Sequence, residues 1–499
     1  MSQPLAHHGR VPRGLRVLIA LVLVACAALF IQSKARSHAL HAGRALPLNY
    51  FEDSRMLRTD ARGFYAMPLA VGDDYFDGTS SPERVRRHLQ AARQVGARYL
   101  RCSFTWNAIE KAPGQYDWRF YDRLVDMARQ DRIEILPYVA YTPEWAAVGK
   151  ANFWQYPPRD PARYAEFMYQ AVRHYRGRIR TWEVWNEPDN REYWQGSVEQ
   201  FAALVKLATP RMRQADPAVV IVLGGMSHGP SEFFRSLLLD YDIGRWVDVV
   251  AMHGYPESWG EDRAETVYQD WISQMANLIR QSGIDLWANE MGYADYRYAP
   301  AAASIWGVSV VYNYEHTPEF AATSLFKDLT MTLASGSTSL AMWYRIDDFA
   351  GKDASFSKDA VNFHLGLFDA QGRPKPAFRA MKFFHQVLGE PVRPINPDPV
   401  LATGSQAVVD VFQRVDGHVI VAAWLRSSHA SEVPDRSGMA VDARREQLSV
   451  RLPCSDSSSV HTFDEQGRNG AHGLYLTSGR LSDIPVRADH VFVADVDCK

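Results

Sequence analysis

The sequence predicts an α/β protein: a parallel (β/α)8 TIM barrel, preceded by an N-terminal hydrophobic segment and followed by a C-terminal antiparallel β-domain of sandwich-like kind. Three observations predict it. Eight short runs rich in β-branched, aromatic and aliphatic residues alternate with stretches of helical periodicity, and eight such units close most simply into a barrel. A cluster of prolines then ends the alternation, and the pattern beyond it is one of strands joined by turns. At the other end, arginines precede a single apolar run. The expected division is 1–45 for the N-terminal segment and linker, 46–390 for the barrel and 391–499 for the β-domain.

Arg10, Arg13 and Arg16 stand before the apolar run 17–31, and polar residues resume at Gln32. That is the layout of a secretory n-region and h-region. The run is shorter than the ~20 residues that cross a bilayer comfortably, yet snorkelling arginines allow it to serve as an uncleaved anchor. Anchoring at the periplasmic face of the inner membrane is the first expectation. Export with cleavage near Ala35 or Ala39 is the second, and lipidation at Cys26 the third, because apolar sequence continues past that cysteine. Cys102 sits in an apolar strand and reads as an inert core thiol, whereas Cys454 and Cys498 both fall in the C-terminal region as candidates to pair; only geometry decides that bond.

The first strand is expected at 64–71, and a helix at 81–96 opens on Ser-Pro-Glu with Val85, Leu89, Ala92 and Val95 on one face. Strands follow at 99–104, 134–139, 181–185, 219–223, 247–253, 285–288 and 339–344. Helices lie between them at 117–130, 161–175, 198–214, 231–240, 264–281 and 318–333, with a last one at 376–388. The stretches 292–317 and 347–362 are long loops after strands seven and eight, where barrels build their sites. Pro391, Pro394, Pro397 and Pro399 read as a stiff linker. Beyond them, 408–415 and 418–424 flank Asp416-Gly417, a hairpin turn.

With 46% hydrophobic residues over 499 positions, the chain buries a large core and more than one domain. A net charge of -2 and no basic stripe outside the N-terminus exclude nucleic acid as an expected partner. Aromatic residues make up 12%, and their flat faces suit both core packing and the apolar faces of sugars. No H-E-x-x-H, paired C-x-x-C, P-loop or strand-linked G-x-G-x-x-G occurs, so neither a metal nor an organic cofactor is expected.

The chemistry concentrates where strands end. The run TWEVWNEPDN (181–190) is a strand until Pro188 forbids further ladder pairing, which turns Asn186 and Glu187 toward the barrel mouth. LWANEMGY does the same for Glu290. Strands four and seven lie on opposite sides of an eight-strand ring, so the two carboxylates flank whatever lies between them. Gly225-Met226-Ser227-His228-Gly229 is a rival G-x-S-x-G esterase motif, with Asp348 and His364 or His385 as partners. Pro230 opposes it by following where a helix should already run.

In these residues the chain resembles the retaining glycoside hydrolases of clan A. The likeness rests on WNEP at 185–188, a second Glu ending strand seven, Arg101 in strand two, Trp106 followed by IEKAPGQYDW, YTPEWA, HGY at 253–255, Trp343, and GLFDAQGRPKPAFRAMKFF. Within the clan it is most similar to glycoside hydrolase family 39, particularly members linked to bacterial exopolysaccharides. The resemblance implies Glu187 as general acid/base and Glu290 as nucleophile. It implies Asn186 as a donor to the sugar 2-hydroxyl, Arg101 and Tyr255 as orienters of Glu290, and His253 as a lining of the sugar subsite. Trp343 would stack on the sugar ahead of a cis peptide, with Trp106 a further binding residue. A polysaccharide substrate, and a place beside an export machinery, are the implied partners. The alternative is a barrel that binds glycan without cleaving it. Whether the acidic Asp73-Asp74 pair reaches a subsite is not decided by sequence.

Overall fold

The strands that the apolar runs predict pair side by side, in a computed structural model, as one closed parallel barrel. The structure describes residues 59–76, 78–149, 151–256, 264–280, 282–295, 302–305, 308–311, 317–349, 363–401, 404–426, 444–470 and 473–498. The eight strands are β1 (Leu69–Gly72), β2 (Ala97–Ser103), β3 (Glu134–Val139), β4 (Thr181–Val184), β5 (Val220–Met226), β6 (Val249–Gly254), β7 (Asp285–Met291) and β8 (Ala341–Tyr344). They neighbour one another in the order β1-β8-β7-β6-β5-β4-β3-β2, every pair parallel.

Each strand is followed by a helix: α1 (Pro82–Gln94), α2 (Arg119–Gln130), α3 (Pro161–His174), α4 (Val198–Ala215), α5 (Glu232–Leu239), α6 (Ala264–Ile279), α7 (Pro318–Ala334) and α8 (Pro376–Leu388). Local sequence sets where they begin. Ser81, Asp160, Ser197, Ser231 and Thr317 each accept a hydrogen bond from a first-turn N–H, and prolines occupy the first turn of α1, α3 and α7. Ala70, Leu136, Val222, Ala251, Trp287 and Met342 fill the barrel interior with other strand side chains. The barrel is therefore packed at its base and open to chemistry only at the strands' C-terminal ends.

The proline-rich stretch is not a linker. Val392–Ile395 (β9) is the edge of a five-stranded antiparallel sheet and Asp398–Val400 (β10) the edge of a four-stranded one. Edge strands tolerate prolines because one side of the ladder needs no N–H, so Pro394 pairs with Phe412 and Pro399 with Val450. The first sheet continues through β11 (Ala407–Arg414), β12 (His418–Leu425), β14 (Ser459–Asp464) and β17 (Phe492–Asp497). The second contains β13 (Arg445–Arg451), β15 (Leu476–Thr477) and β16 (Arg480–Arg487). Residues from both sheets, among them Val421, Val450, Leu481 and Val496, share one buried cluster, and a Cys454–Cys498 disulfide pins its rim. Cys102 is a buried free thiol, as expected.

Most of the long loop after β8, at 350–362, lies outside the described residues. The loop after β7 contains an antiparallel ribbon, Ala302–Ile305 with Val308–Val311. Among the described residues no helix is long and apolar enough to cross a membrane; the N-terminal apolar run lies outside them.

Candidate active site

Backbone geometry at the end of β4 explains how a buried strand can present Glu187. Trp185 and Glu187 both adopt positive φ, 73° and 45°, a region costly for residues with a Cβ. Hydrogen bonds hold the turn: Trp185 N–H donates to the Val139 carbonyl and Glu187 N–H to that of Gly225, both at 3.0 Å. Asn186 and Glu187 are thereby placed in the barrel mouth, each less than a tenth exposed.

Glu290 arrives by a different device. Trp287 faces the barrel interior, so simple alternation would send Glu290 to the outer face. Both ladders of β7 slip by one residue before Glu290 is reached: Met252 pairs with Ala288 but His253 with Glu290, and Ala341 pairs with Ala288 but Trp343 with Met291. The extra residue is Asn289. A bulge of this kind re-aims the following side chains, and here it turns Glu290 inward while keeping it inside the strand.

The two carboxylates meet around His253. Its Nδ1 lies 2.7 Å from Glu187 Oε1 and its Nε2 3.7 Å from Glu290 Oε2. One oxygen from each glutamate lies within 4.8 Å of the other. Asn190 Nδ2 donates to Glu187 Oε2 at 3.0 Å, and Tyr255 O–H donates to Glu290 Oε1 at 2.8 Å. Arg101 Nη1 donates to Glu290 Oε2 at 2.5 Å.

Sequence reasoning missed what holds Arg101. Glu183, fully buried on β4, accepts from Arg101 Nε at 2.7 Å and Nη2 at 2.9 Å, and also from the Gly225 N–H at 3.0 Å. The same Nη2 donates to Asn186 Oδ1 at 2.8 Å, and the guanidinium lies 4.6 Å from the Tyr138 ring centroid. The signal was present: a lone carboxylate between Trp182 and Val184 in an apolar strand demands a buried cation. Gly225 is the other omission. A Cβ there would stand 2.2 Å from His253 Nε2 and 2.7 Å from Asn289 Oδ1, so only glycine lets the histidine seat.

These contacts push the two acids apart. Burial raises the pKa of Glu187, helped by the charges of Glu290 and Asp189 and only partly offset by His253. Burial would raise Glu290 too, but His253, Arg101 and the Tyr255 hydroxyl outweigh it and hold Glu290 below the ordinary range. Burial works against a charged His253, yet the Glu290 and Glu187 carboxylates hold its pKa above the usual value. The two environments thus drive the pair apart, Glu187 toward holding its proton and Glu290 toward giving its proton up. Glu187, His253 and Glu290 have the spacing of a metal triad. Arg101 against Glu290 and the raised pKa of His253 both oppose a cation there. Asp295, Asp348 and His364 form a second such group, but the Lys375 ammonium already lies 2.8 Å from Asp295 and 2.9 Å from Asp348.

Two expected binding residues sit elsewhere. Trp343 is 1% exposed, and because Met342 fills the barrel interior its neighbour points outward to the helices. Tyr344 takes the inward place, donating to Asp74 Oδ2 at 2.8 Å, and the cis peptide follows Tyr344 rather than Trp343. Trp106 is fully buried: its indole N–H donates to Glu110 at 2.6 Å and its ring stacks on Phe167. Asp74 also accepts from the Tyr138 hydroxyl at 2.6 Å, while Asp73 is bound by Arg345 at 2.7 Å and Arg84 at 3.2 Å. The esterase arrangement is not found among the described residues: there Ser227 Oγ pairs with the adjacent His228 at 2.9 Å, Asp348 is bound by Lys375, and α5 begins beyond Ser231.

The glycosyl hydrolases family 39 model matches residues 77–437. A β-xylosidase of Geobacillus stearothermophilus is 23% identical over 340 residues, a stretch that covers 62% of this chain and 62% of that relative's length. Among solved structures, a family 39 glycoside hydrolase from the gut symbiont Bacteroides cellulosilyticus WH2 superposes with a TM-score of 0.64 at 16% identity, over 87% of this chain and 81% of that one. A monomeric β-xylosidase from Caulobacter crescentus CB15 superposes at 0.62 with 17% identity, over 87% and 96%. Likeness at these identities is likeness of fold.

Proposed function

The chain belongs to family 39 of the glycosyl hydrolases, and from that premise we propose that it is a retaining glycosidase with Glu187 as acid/base and Glu290 as nucleophile. The observation that carries the reading is the pairing itself: oxygens within 4.8 Å, one carboxyl pushed up and the other held down. Retaining glycosidases keep their two carboxyl groups about 5–5.5 Å apart, whereas inverting ones leave room for a water between them.

In the first step Glu187 gives its proton to the glycosidic oxygen as the bond to the anomeric carbon breaks. Glu290 attacks that carbon from the opposite face, forming a glycosyl ester. The ester carries no charge, so the repulsion that helped raise Glu187 vanishes and its pKa falls. Glu187 then takes a proton from water, the resulting hydroxide oxygen attacks the anomeric carbon, and Glu290 leaves as a carboxylate. Arg101, Tyr255 and His253 stabilise Glu290 whenever it is charged.

The substrate we propose is a bacterial exopolysaccharide, met outside the cytoplasm with the chain anchored or exported through its N-terminal segment. The Cys454–Cys498 disulfide supports that compartment, since such bonds persist where conditions oxidise. Incubating the protein with a panel of exopolysaccharides and xylo-oligosaccharides, and following released oligosaccharides by mass spectrometry, tests the proposal. Release by the native protein and loss of at least a thousandfold in Glu290→Gln is the expected result. Glycan binding without any release would make the protein a binding module instead.

A further inference from the structure

We propose that the loops after β3 and β4, with one ring from the loop after β1, form an aromatic subsite for the departing sugar of a neutral glycan. The inference rests on the glycosidase reading and extends it to the leaving-group side.

The wall consists of Tyr141 and Trp154 from the β3 loop, Tyr193 from the β4 loop, and Phe76. Tyr141 is its buried centre at 6% exposure, while Phe76, Trp154 and Tyr193 are each partly open to solvent. Ring centroids lie 5.3 Å apart for Tyr141–Trp154, 6.2 Å for Tyr141–Tyr193, 6.3 Å for Trp154–Tyr193 and 6.4 Å for Phe76–Tyr141. The two loops are stitched together: Gln195 N–H donates to the Gln155 carbonyl at 2.8 Å, and the Trp185 indole N–H to the Tyr193 carbonyl at 3.1 Å. Trp154 and Tyr193 therefore keep their spacing without a ligand to order them.

Position decides which sugar this wall meets. The groups that touch Glu290 come from β2 and from the residue just past β6, whereas the β4 loop supplies Asn190, which holds the outer oxygen of Glu187. Tyr193 N–H donates to the carbonyl of that same Asn190 at 2.9 Å, which ties its loop to the Glu187 side of the mouth. The acid must hand its proton to the oxygen that departs, so the departing ring lies on the Glu187 side, against Tyr193 and Trp154. Exposed aromatic faces take the C–H face of a pyranose. An anionic ring would meet the charge of Glu290 across a poorly hydrated mouth, which makes a neutral sugar the fitting class.

The test compares substrates that share a glycone but differ in what leaves. The glycosyl fluorides and the matching β-linked disaccharides of xylose, glucose, galactose and mannose are assayed with the native protein, and the active pair is carried forward. In Trp154→Ala the ratio of kcat/KM on the disaccharide to kcat/KM on the fluoride falls about tenfold, the loss of roughly one ring stack, and Trp154→Phe restores most of it. An unchanged ratio, with Trp154→Ala folded by its melting curve, would overturn the subsite alone. No turnover of any pair by the native protein would overturn the subsite, and if the exopolysaccharide panel also yields no released sugar the glycosidase reading falls with it.

Discussion

Replacing Glu183 by Gln separates positioning from electrostatics at this site. Glu183 Oε1 accepts from Arg101 Nη2 and the Gly225 N–H, and Oε2 accepts from Arg101 Nε. A glutamine oxygen placed at Oε1 keeps two of those contacts, but its amide N–H then faces the Arg101 Nε–H, donor to donor. Breaking one side of a buried ion pair costs about 3–5 kcal/mol, so chemical unfolding should show a loss of that order. The second effect is on charge. Arg101 is shared between Glu183 and Glu290, and in the variant its charge falls on Glu290 alone. The pKa of Glu290, already held down, drops further, and the acid limb of kcat/KM, where Glu290 takes up a proton, moves to lower pH. With one unit charge removed across a single guanidinium at an effective dielectric of ~20, the shift should be about one unit or more. Glu183→Asp keeps the charge but shortens the reach, so it should lose stability and leave the acid limb in place. The assay is a pair of kcat/KM profiles beside denaturant curves. An acid limb in Glu183→Gln that stays at its native position would refute the charge-sharing argument and leave Glu183 a purely structural residue.

Tyr255→Phe removes a 2.8 Å hydrogen bond that favours ionised Glu290, so kcat should fall about tenfold to a hundredfold and the acid limb should move up rather than down; steady-state kinetics against pH checks both. Gly225→Ala forces a Cβ to within 2.2 Å of His253 Nε2, which should cost about 1–3 kcal/mol of stability and reduce kcat more than it raises KM. Cys454→Ser with Cys498→Ser opens a bridge between residues 44 apart, worth about 4 kcal/mol by chain entropy; calorimetry should show the β-domain weakened while turnover persists.

The fold was legible because its cues are local and redundant. Capping residues such as Ser81 and Ser197, prolines at helix starts, and β-branched runs all agreed on the alternation that builds the barrel. The proline-rich stretch after α8 was misread because composition cannot distinguish a linker from an edge strand; the distinction lies in which side of the strand has a partner. At the site, Glu187 was legible from Pro188 ending its strand. Glu290 stands within β7 rather than beyond its end as the sequence suggests, since a bulge at Asn289 re-aims it and no residue type announces a bulge. Trp343 sits away from the site for a related reason: a tryptophan on an outer strand face and one on an inner face look alike in sequence, and the parity that separates them follows from Met342 filling the barrel. Trp106 instead opens a short helix, Trp106–Ile109, just beyond β2, and its indole is held by Glu110 in the core. Glu183 carries a legible cue of its own, because a charge inside an apolar strand needs a partner, and Arg101 is that partner.

The central claim is that two unequal carboxyls within 4.8 Å work by double displacement. Proton NMR of the first sugar released by the native protein, recorded before mutarotation sets in, tests it most directly. Double displacement predicts that the new hemiacetal appears in the same anomeric configuration as the bond that was cut. Appearance of the opposite anomer would mean that water attacks directly, and Glu290 would not be the nucleophile.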